Sequence, residues 1–353
     1  MKLLHVYPTF AVGGAQARFV AIANHFGRRW QHVIVAMDGV TTCRERLDPA
    51  LDVRLLDPGV IKGDTLGNLR RFRAVLLAER PACLVTSNWG SIEWAMAATA
   101  TGIRHVHMED GFGPEERAQQ IPRRVWTRRI ILRQREILVP SRVLYRLATV
   151  TWRLPVKRVH YVPNGIDLTR FAPRRKNRGD VPVIGTVAAL RAEKNIARLL
   201  RAVAAMTCAA RLIVVGGGPD RAMLESLAGE LGIADRVSFA GHQADTAGFY
   251  HDFDIFALSS DTEQMPLSVL EAMGAGLPVV STDVGDVASM VAAANRNFIV
   301  PQDIQALAAA LDRLAGDDAL RDILGTANRT KAEQDYSDET MFDAHARLYE
   351  GNG

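Results

Sequence analysis

Only three cysteines occur in the 353 residues, Cys43, Cys83 and Cys208. They are odd in number, widely spaced and set among apolar residues, which fits reduced, buried thiols and speaks against a disulfide framework. No His/Cys cluster has the spacing of a metal site. No apolar run approaches the roughly 18 residues that a membrane span needs. The opening MKLLHVY carries one Lys before a short apolar run, and Pro8 and the glycines follow at once. The expectation is a soluble chain without a signal-peptide core that stays in the cytoplasm. The G-x-G-x-x-G dinucleotide spacing is missing too, which disfavours a dehydrogenase.

Acid is scarce in one stretch. Between Arg117 and His160 twelve Arg or Lys accompany the single acid Glu136, although the whole chain carries only +4. Within it, RRVWTRRIILRQR sets Val125, Trp126, Ile130 and Leu132 among Arg123, Arg124, Arg128, Arg129, Arg133 and Arg135. That is the pattern of a basic amphipathic helix lying on anionic lipid, with the 117–160 region as its membrane-facing surface. A solvated charged face is the plain alternative, and nucleic acid the least favoured one.

With 48% hydrophobic and 23% charged residues the chain reads as globular, and its length calls for two domains. Short β-rich runs alternate with helical patterns: LLHVY, HVIVAM, CLVTSN, RHVHM, EILVP and VHYVPNG, then VPVIGTV, RLIVVGG, RVSFAG, DIFALSS, LPVVST and NFIV. Each series is βαβ punctuation, and parallel crossovers make each a doubly wound, Rossmann-like α/β sheet. A Pro-, Arg- and Asp-rich loop, residues 166–181, separates them. The expected domains are 1–165 and 166–335, with a helix at about 336–353 packing back on the first.

Ligands of such sheets bind at the carboxyl ends of the strands, so the loops there carry the chemistry. Gly13 and Gly14, in YPTFAVGGAQARFV, lie between a strand and a helix, where bare backbone amides suit a phosphate or sugar oxygen; a steric need at a tight turn is the alternative. Gly216, Gly217 and Gly218 precede Pro219, and the glycine platform leaves room for a nucleobase or ribose; a tight turn explains it equally. In RAEKN, Lys194 stands at a helix start, where the macrodipole disfavours a cation unless an anion is bound. The plain alternative pairs Lys194 with Glu193.

In DTEQMPLSVLEAMGAGLP, residues 261–278, Asp261 or Ser260 can cap a helix whose faces are apolar except for Glu271. A carboxylate among Leu267, Leu270 and Met273 needs hydrogen-bond donors. Vicinal ribose hydroxyls supply them, while the amides of Gln264, Met265, Leu267 and Ser268 at the helix start can hold the accompanying phosphate or sugar.

The pair Glu263 and Glu271, seven residues apart in between, followed by AMGAGLPVVSTDVGD, resembles the donor-site signature of the retaining glycosyltransferases of family 4, of GT-B fold. GGAQ, VPNGID, RAEKN and VVGGGP fall in that family's order, so the resemblance spans most of the chain. It implies two Rossmann-like domains facing a cleft, a UDP- or GDP-linked sugar as donor, and transfer that retains configuration without a metal or other cofactor.

Carried over, Glu271 binds the ribose, Glu263 the sugar hydroxyls or the reacting face, and Lys194 the diphosphate leaving group. The Arg usual five residues before that Lys is Ala189 here, with Arg191 as the substitute. Gln264, Met265 and Asp286 stand where the family favours Gly, an aromatic and Gly. In HVHMEDGFGPEE, either His107 or Asp110 takes the place where relatives have a His near the reacting carbon. Glu109 and Asp110, with Gly111 and Gly113, read as a flexible acidic loop for an acceptor hydroxyl. His105 and His107 read equally as packed strand residues.

The reading that results is a hexosyltransferase of surface-polysaccharide synthesis, acting on a glycan or polyprenyl-linked acceptor at the inner face of the cell membrane, with domains closing about residues 164–181. A sugar-nucleotide epimerase or hydrolase of the same fold, or an inactive nucleotide-sugar-binding partner subunit, are the alternatives.

Overall fold

A computed structural model describes residues 1–112, 114–116, 119–173 and 181–351. Gly113, Arg117 and residues 174–180 of the expected linker and hinge lie outside the described residues. The chain divides into two compact units, Met1–Pro163 joined by the C-terminal stretch from Glu339, and Asn164–Asp338.

In the first unit, strands β1 (Lys2–Tyr7), β2 (Gln31–Ala36), β3 (Val53–Leu55), β4 (Cys83–Ser87), β5 (Arg104–Met108), β6 (Glu136–Val139) and β7 (Val159–Tyr161) form one sheet. Its order is β3-β2-β1-β4-β5-β6-β7, every pairing parallel. Helices α1 (Gly14–Phe26), α2 (Thr65–Glu79), α3 (Ile92–Ala97), α4 (Pro122–Ile131) and α5 (Arg142–Arg146) make the crossovers. Strand β3 is absent from the runs read in the sequence: three half-buried or exposed residues at a sheet edge leave no pattern to read.

In the second unit, β8 (Val183–Val187), β9 (Arg211–Val215), β10 (Val237–Gly241), β11 (Ile255–Leu258), β12 (Val279–Thr282) and β13 (Ile299–Val300) run in the order β10-β9-β8-β11-β12-β13, again all parallel. Between and after them come α6 (Ile196–Ala205), α7 (Arg221–Glu230), α8 (Ala247–Asp252), α9 (Leu267–Gly274), α10 (Val287–Met290), α11 (Ile304–Ala315) and α12 (Asp318–Asp335). The last helix, α13 (Asp338–Glu350), sets Phe342, Ala346 and Tyr349 against Leu3, Ile22 and Trp30 of the first unit.

Central strands covered on both faces have no polar face to spare, hence the unbroken apolar character of β11 (IFAL) and of Val279–Val280 in β12, all buried. The second unit's core lies in two layers, one around Leu199, Leu212 and Leu311, the other around Phe256, Leu270 and Met273.

Candidate active site

Each sheet reverses its strand order once, where β1 lies between β2 and β4 and where β8 lies between β9 and β11. Loops leaving two such neighbouring strands diverge to opposite faces and open a crevice at the strands' carboxyl ends. The β8 loop carries Arg191 and Lys194; the β11 loop carries Glu263. Strand adjacency therefore brings together residues 69 positions apart: Lys194 Nζ donates to Glu263 Oε1 at 2.6 Å. The two side chains are only 20% and 10% exposed, so the pair is shielded but still reachable.

The surrounding loop is tied down from several sides. Ser260 Oγ donates to the same Glu263 oxygen at 2.8 Å, and Ser259 Oγ donates to the Lys194 carbonyl at 3.1 Å. Asp261 accepts from Asn195 Nδ2 at 3.0 Å and pairs with Arg198 at 2.7 Å. Neither Ser260 nor Asp261 caps the following helix: α9 begins at Leu267 after Pro266, with no side-chain cap. The Asp261 side chain joins the β11 loop to the start of α6 instead, and that of Ser260 stays on Glu263 within its own loop. Lys194 pairs with Glu263 rather than with Glu193, which Arg191 reaches at 3.2 Å. Lys194 closes a short 3-10 turn, and Asn195, in the left-handed region at φ 42°, caps α6 by accepting from the Arg198 amide.

The glycines after β9 are required by packing. Gly216 has φ 143°, and a Cβ there would stand 1.9 Å from the Ala188 carbonyl oxygen. A Cβ on Gly218 would stand 2.2 Å from the Leu190 carbonyl. Leu190 N also donates to the Gly217 carbonyl at 2.9 Å. The bare backbone thus lets the β8 loop that carries Arg191 and Lys194 lie against the β9 loop. Gly285 does the same service for the β11 loop: its φ is 54°, and a Cβ would meet the carbonyls of Glu263 and Gln264 at 2.5 and 2.6 Å. The Asp286 amide donates to the Gln264 carbonyl at 2.9 Å, so the residue found where the family favours a second Gly still serves that loop packing.

On α9, Glu271 accepts from the Tyr250 hydroxyl at 2.5 Å. Burial raises the Glu271 carboxyl above its ordinary range, opposed by this hydrogen bond and by the charge of Arg170. The same contact and burial push the Tyr250 phenol well up. A protein hydroxyl therefore meets part of the need for donors that the sequence suggested a ribose would fill. Leu267 and Ser268 are half-buried at the helix start. Met265 is buried in the core, its Sδ and carbonyl accepting from Asn164 at 3.3 and 3.0 Å. Its side chain anchors the loop.

In the first unit, Gly13 and Gly14 begin α1 without a side-chain cap, and Gly14 is exposed. One turn on, Arg18 is buried and lies 2.5 Å from Asp110 Oδ1. The Asp110 amide donates to Asn88 Oδ1 at 2.7 Å, while its Oδ2 meets no hydrogen-bond partner. His105 and His107 are both buried on β5, with Thr86 Oγ1 2.7 Å from one ring and 2.8 Å from the other. Burial, with the neighbouring His107 and Arg135, holds the His105 imidazole well below its ordinary range.

Glu109 departs from the flexible acidic loop expected around it. Its side chain is fully buried, 3.2 Å from Arg128 Nε and 3.6 Å from His107 Nε2. A carboxylate held this way supports the strand end and does not offer itself to an acceptor. The basic helix is shorter than its sequence run, and part of its charge is paired within the first unit. α4 stops at Ile131; Arg128 turns inward to Glu109 and Glu116, and Arg124 pairs with Glu115 and Glu116. Acids from just before the stretch neutralise two of its arginines, and Glu136 takes Arg158 and His160. Trp126 and Ile130 remain exposed.

Sequence reasoning missed Arg18, Tyr250, Asn88 and Arg128. The one signal the sequence held was the register of Arg18 on α1, four residues before the apolar Ile22. Among the described residues no group of three His, Cys, Asp or Glu is placed to hold a metal ion. Nor is any helix there long and apolar enough to cross a membrane.

Two parallel Rossmann-like units, the second with a Lys–Glu pair at its strand switch and a half-buried Glu on the next helix, fit the GT-B fold. The model for Glycosyltransferase Family 4 matches residues 12–170 and that for Glycosyl transferases group 1 matches residues 169–331. Together they run through both units, and the chain belongs to this glycosyltransferase family.

The lipopolysaccharide core biosynthesis glycosyltransferase LpsD of Rhizobium meliloti is 34% identical over 158 residues, 44% of this chain and 46% of that protein. The putative glycosyltransferase EpsF of Bacillus subtilis is 26% identical over 313 residues, 80% of this chain and 79% of its own. Against the first of these relatives the match spans about half the relative's length. Anabaena Alr3699/HepE in complex with UDP shares the fold at TM-score 0.84 and 18% identity, covering 99% of this chain and 100% of that one.

Proposed function

We propose that the chain transfers a hexose from a UDP- or GDP-linked sugar to a hydroxyl of a glycan or lipid-linked glycan in cell-surface polysaccharide synthesis, with retained configuration and no metal. The observation that carries this reading is the Lys194–Glu263 pair at the strand switch of the unit matched by Glycosyl transferases group 1, with Glu271 on the next helix. The UDP complex of HepE and the lipopolysaccharide role named for LpsD support the donor and the pathway class.

In this reading Glu271 accepts from the ribose hydroxyls as well as from the Tyr250 hydroxyl, and Glu263 takes the sugar. The C1–O bond to the diphosphate breaks with its electron pair leaving on the diphosphate, where Lys194 offsets the developing charge. The acceptor oxygen bonds to C1 on the face the diphosphate leaves, and its proton passes to a diphosphate oxygen. Asp110 Oδ2 orients that acceptor hydroxyl; His107 supports it from the strand, and Arg191 and the Gly13–Gly14 amides contact the donor phosphates. Trp126 and Ile130, exposed beside Arg123 and Arg133, are the contact with the inner face of the membrane.

Calorimetric titration with UDP-, GDP-, ADP- and CMP-sugars tests the donor site. One nucleotide class should bind the wild type and fail to bind Glu271→Ala; binding by none, or equal binding by the variant, removes the donor assignment.

A further inference from the structure

A second concavity lies in the first unit, away from the loops described above. At the free edge of the sheet, between α5 and α13, β7 forms the floor of an open groove of about 610 Å³. This is within the range of small-molecule sites, roughly 300–1,000 Å³. Its walls divide by chemistry. Arg142 and Arg347 supply two guanidinium groups and Tyr145 and Tyr161 two phenols, while Val162 and Leu348 give an apolar end. Among the described residues no Asp or Glu lines it, and His160 in its wall is held by Glu136 at 2.8 Å.

One of the cations is also set in place: the Arg142 guanidinium lies 5.2 Å over the Tyr161 ring. Arg347, exposed in the last turn of α13, makes no ion pair among the described residues. Guanidinium forks are matched to phosphate oxygens, and apolar side chains in the same groove are matched to a hydrocarbon. Strand addition by a peptide is the poorer fit, because β7 offers only three residues of edge.

We propose that this groove binds a phosphate monoester carrying an apolar substituent, either free in solution or as a lipid headgroup. The proposal is independent of the donor site, which shares no residue with this groove.

The test uses the full chain, titrated with octyl phosphate and with inorganic phosphate, and floated with phosphatidic acid vesicles against phosphatidylcholine vesicles. Arg142→Ala/Arg347→Ala should weaken octyl phosphate binding at least tenfold, with the far-UV circular dichroism unchanged because both side chains are exposed. Octyl phosphate should also bind more tightly than inorganic phosphate. Flotation with phosphatidic acid that the double variant loses assigns a lipid source; octyl phosphate binding without flotation assigns a soluble one. No binding, equal binding by the double variant, or loss in Lys194→Ala instead would overturn the site. Donor titrations of the double variant should match the wild type, so a failed groove leaves the donor reading untouched and a failed donor site leaves the groove testable.

Discussion

Arg18, buried on α1, holds Asp110 at 2.5 Å, so a residue of the first crossover helix fixes the carboxylate at the end of β5. Removing one partner of a buried pair leaves the other charge uncompensated, which costs about 3–5 kcal/mol. Arg18→Ala should therefore lower the melting temperature sharply. Asp110→Asn keeps the shape and should cost less in stability, yet reduce transfer about a hundredfold, the order of loss expected when a group that orients the acceptor hydroxyl is removed. Donor affinity in Asp110→Asn should stay at the wild-type value, because Asp110 is assigned to the acceptor and to none of the donor contacts. Calorimetric donor binding measured beside turnover checks this, and a parallel fall in both would remove Asp110 from the acceptor role.

The Lys194–Glu263 pair yields a sharper prediction, since each residue has both a ligand and a partner. Lys194→Ala should lower turnover by about 10²–10³, the range for loss of one preorganised donor to a developing negative charge. Glu263→Ala should also lose transfer. In a double-mutant cycle on donor affinity the two losses should fail to add by about 0.5–3 kcal/mol, as for directly contacting residues. Full activity in Glu263→Ala would sink the assignment of the donor site.

Much of this arrangement was legible in the sequence because it rests on short-range pattern. Strand runs of four or more residues announced themselves, and the spacing of Glu263 and Glu271 with RAEKN picked out the loops that meet. What was not legible depended on contacts across the sheet. Arg18 and Asp110 are 92 positions apart, and an Arg on a helix reads as surface until its neighbours are known. Glu109 and Arg128 each look solvent-exposed in isolation; they are buried only because they pair. The glycines at 216 and 218 read as a ligand platform or a turn, and the carbonyls of Ala188 and Leu190 that exclude a Cβ could be seen only in three dimensions.

Glu271 sets function against stability. Its carboxyl is raised above the ordinary range by burial, so the folded state binds its proton more readily than the unfolded chain. Folding is therefore penalised once pH rises above the unfolded value, and the full penalty applies above the folded one. Glu271→Gln removes that charge while leaving an oxygen for the Tyr250 hydroxyl. At neutral pH it should raise the melting temperature and weaken donor binding. In Tyr250→Phe the stabilising hydrogen bond is gone, the carboxyl rises further, and donor affinity should begin to fall at a higher pH than in the wild type. Titrations across pH 5–8 check the direction; a shift to lower pH would contradict it.

Acid should loosen the first unit before its carboxylates titrate. His5 and His32 lie 3.1 Å apart in the core; burial lowers both, His32 to about 4, and His345 nearby is lowered to about 3. These rings are neutral when folded, whereas the unfolded chain takes their protons near pH 6.5, so each loses stability as pH falls below 6.5. The limit is about 1.4 kcal/mol per pH unit for each histidine until its folded value is reached. The stabilising carboxylates, such as Glu79 and Glu350, are lowered by their arginines and lose their contribution only below about pH 4.5. Urea midpoints should therefore fall between pH 6.5 and 5, and His32→Asn, which keeps a polar partner for His5, should flatten that slope. An unchanged slope in the variant would assign the acid sensitivity to other groups.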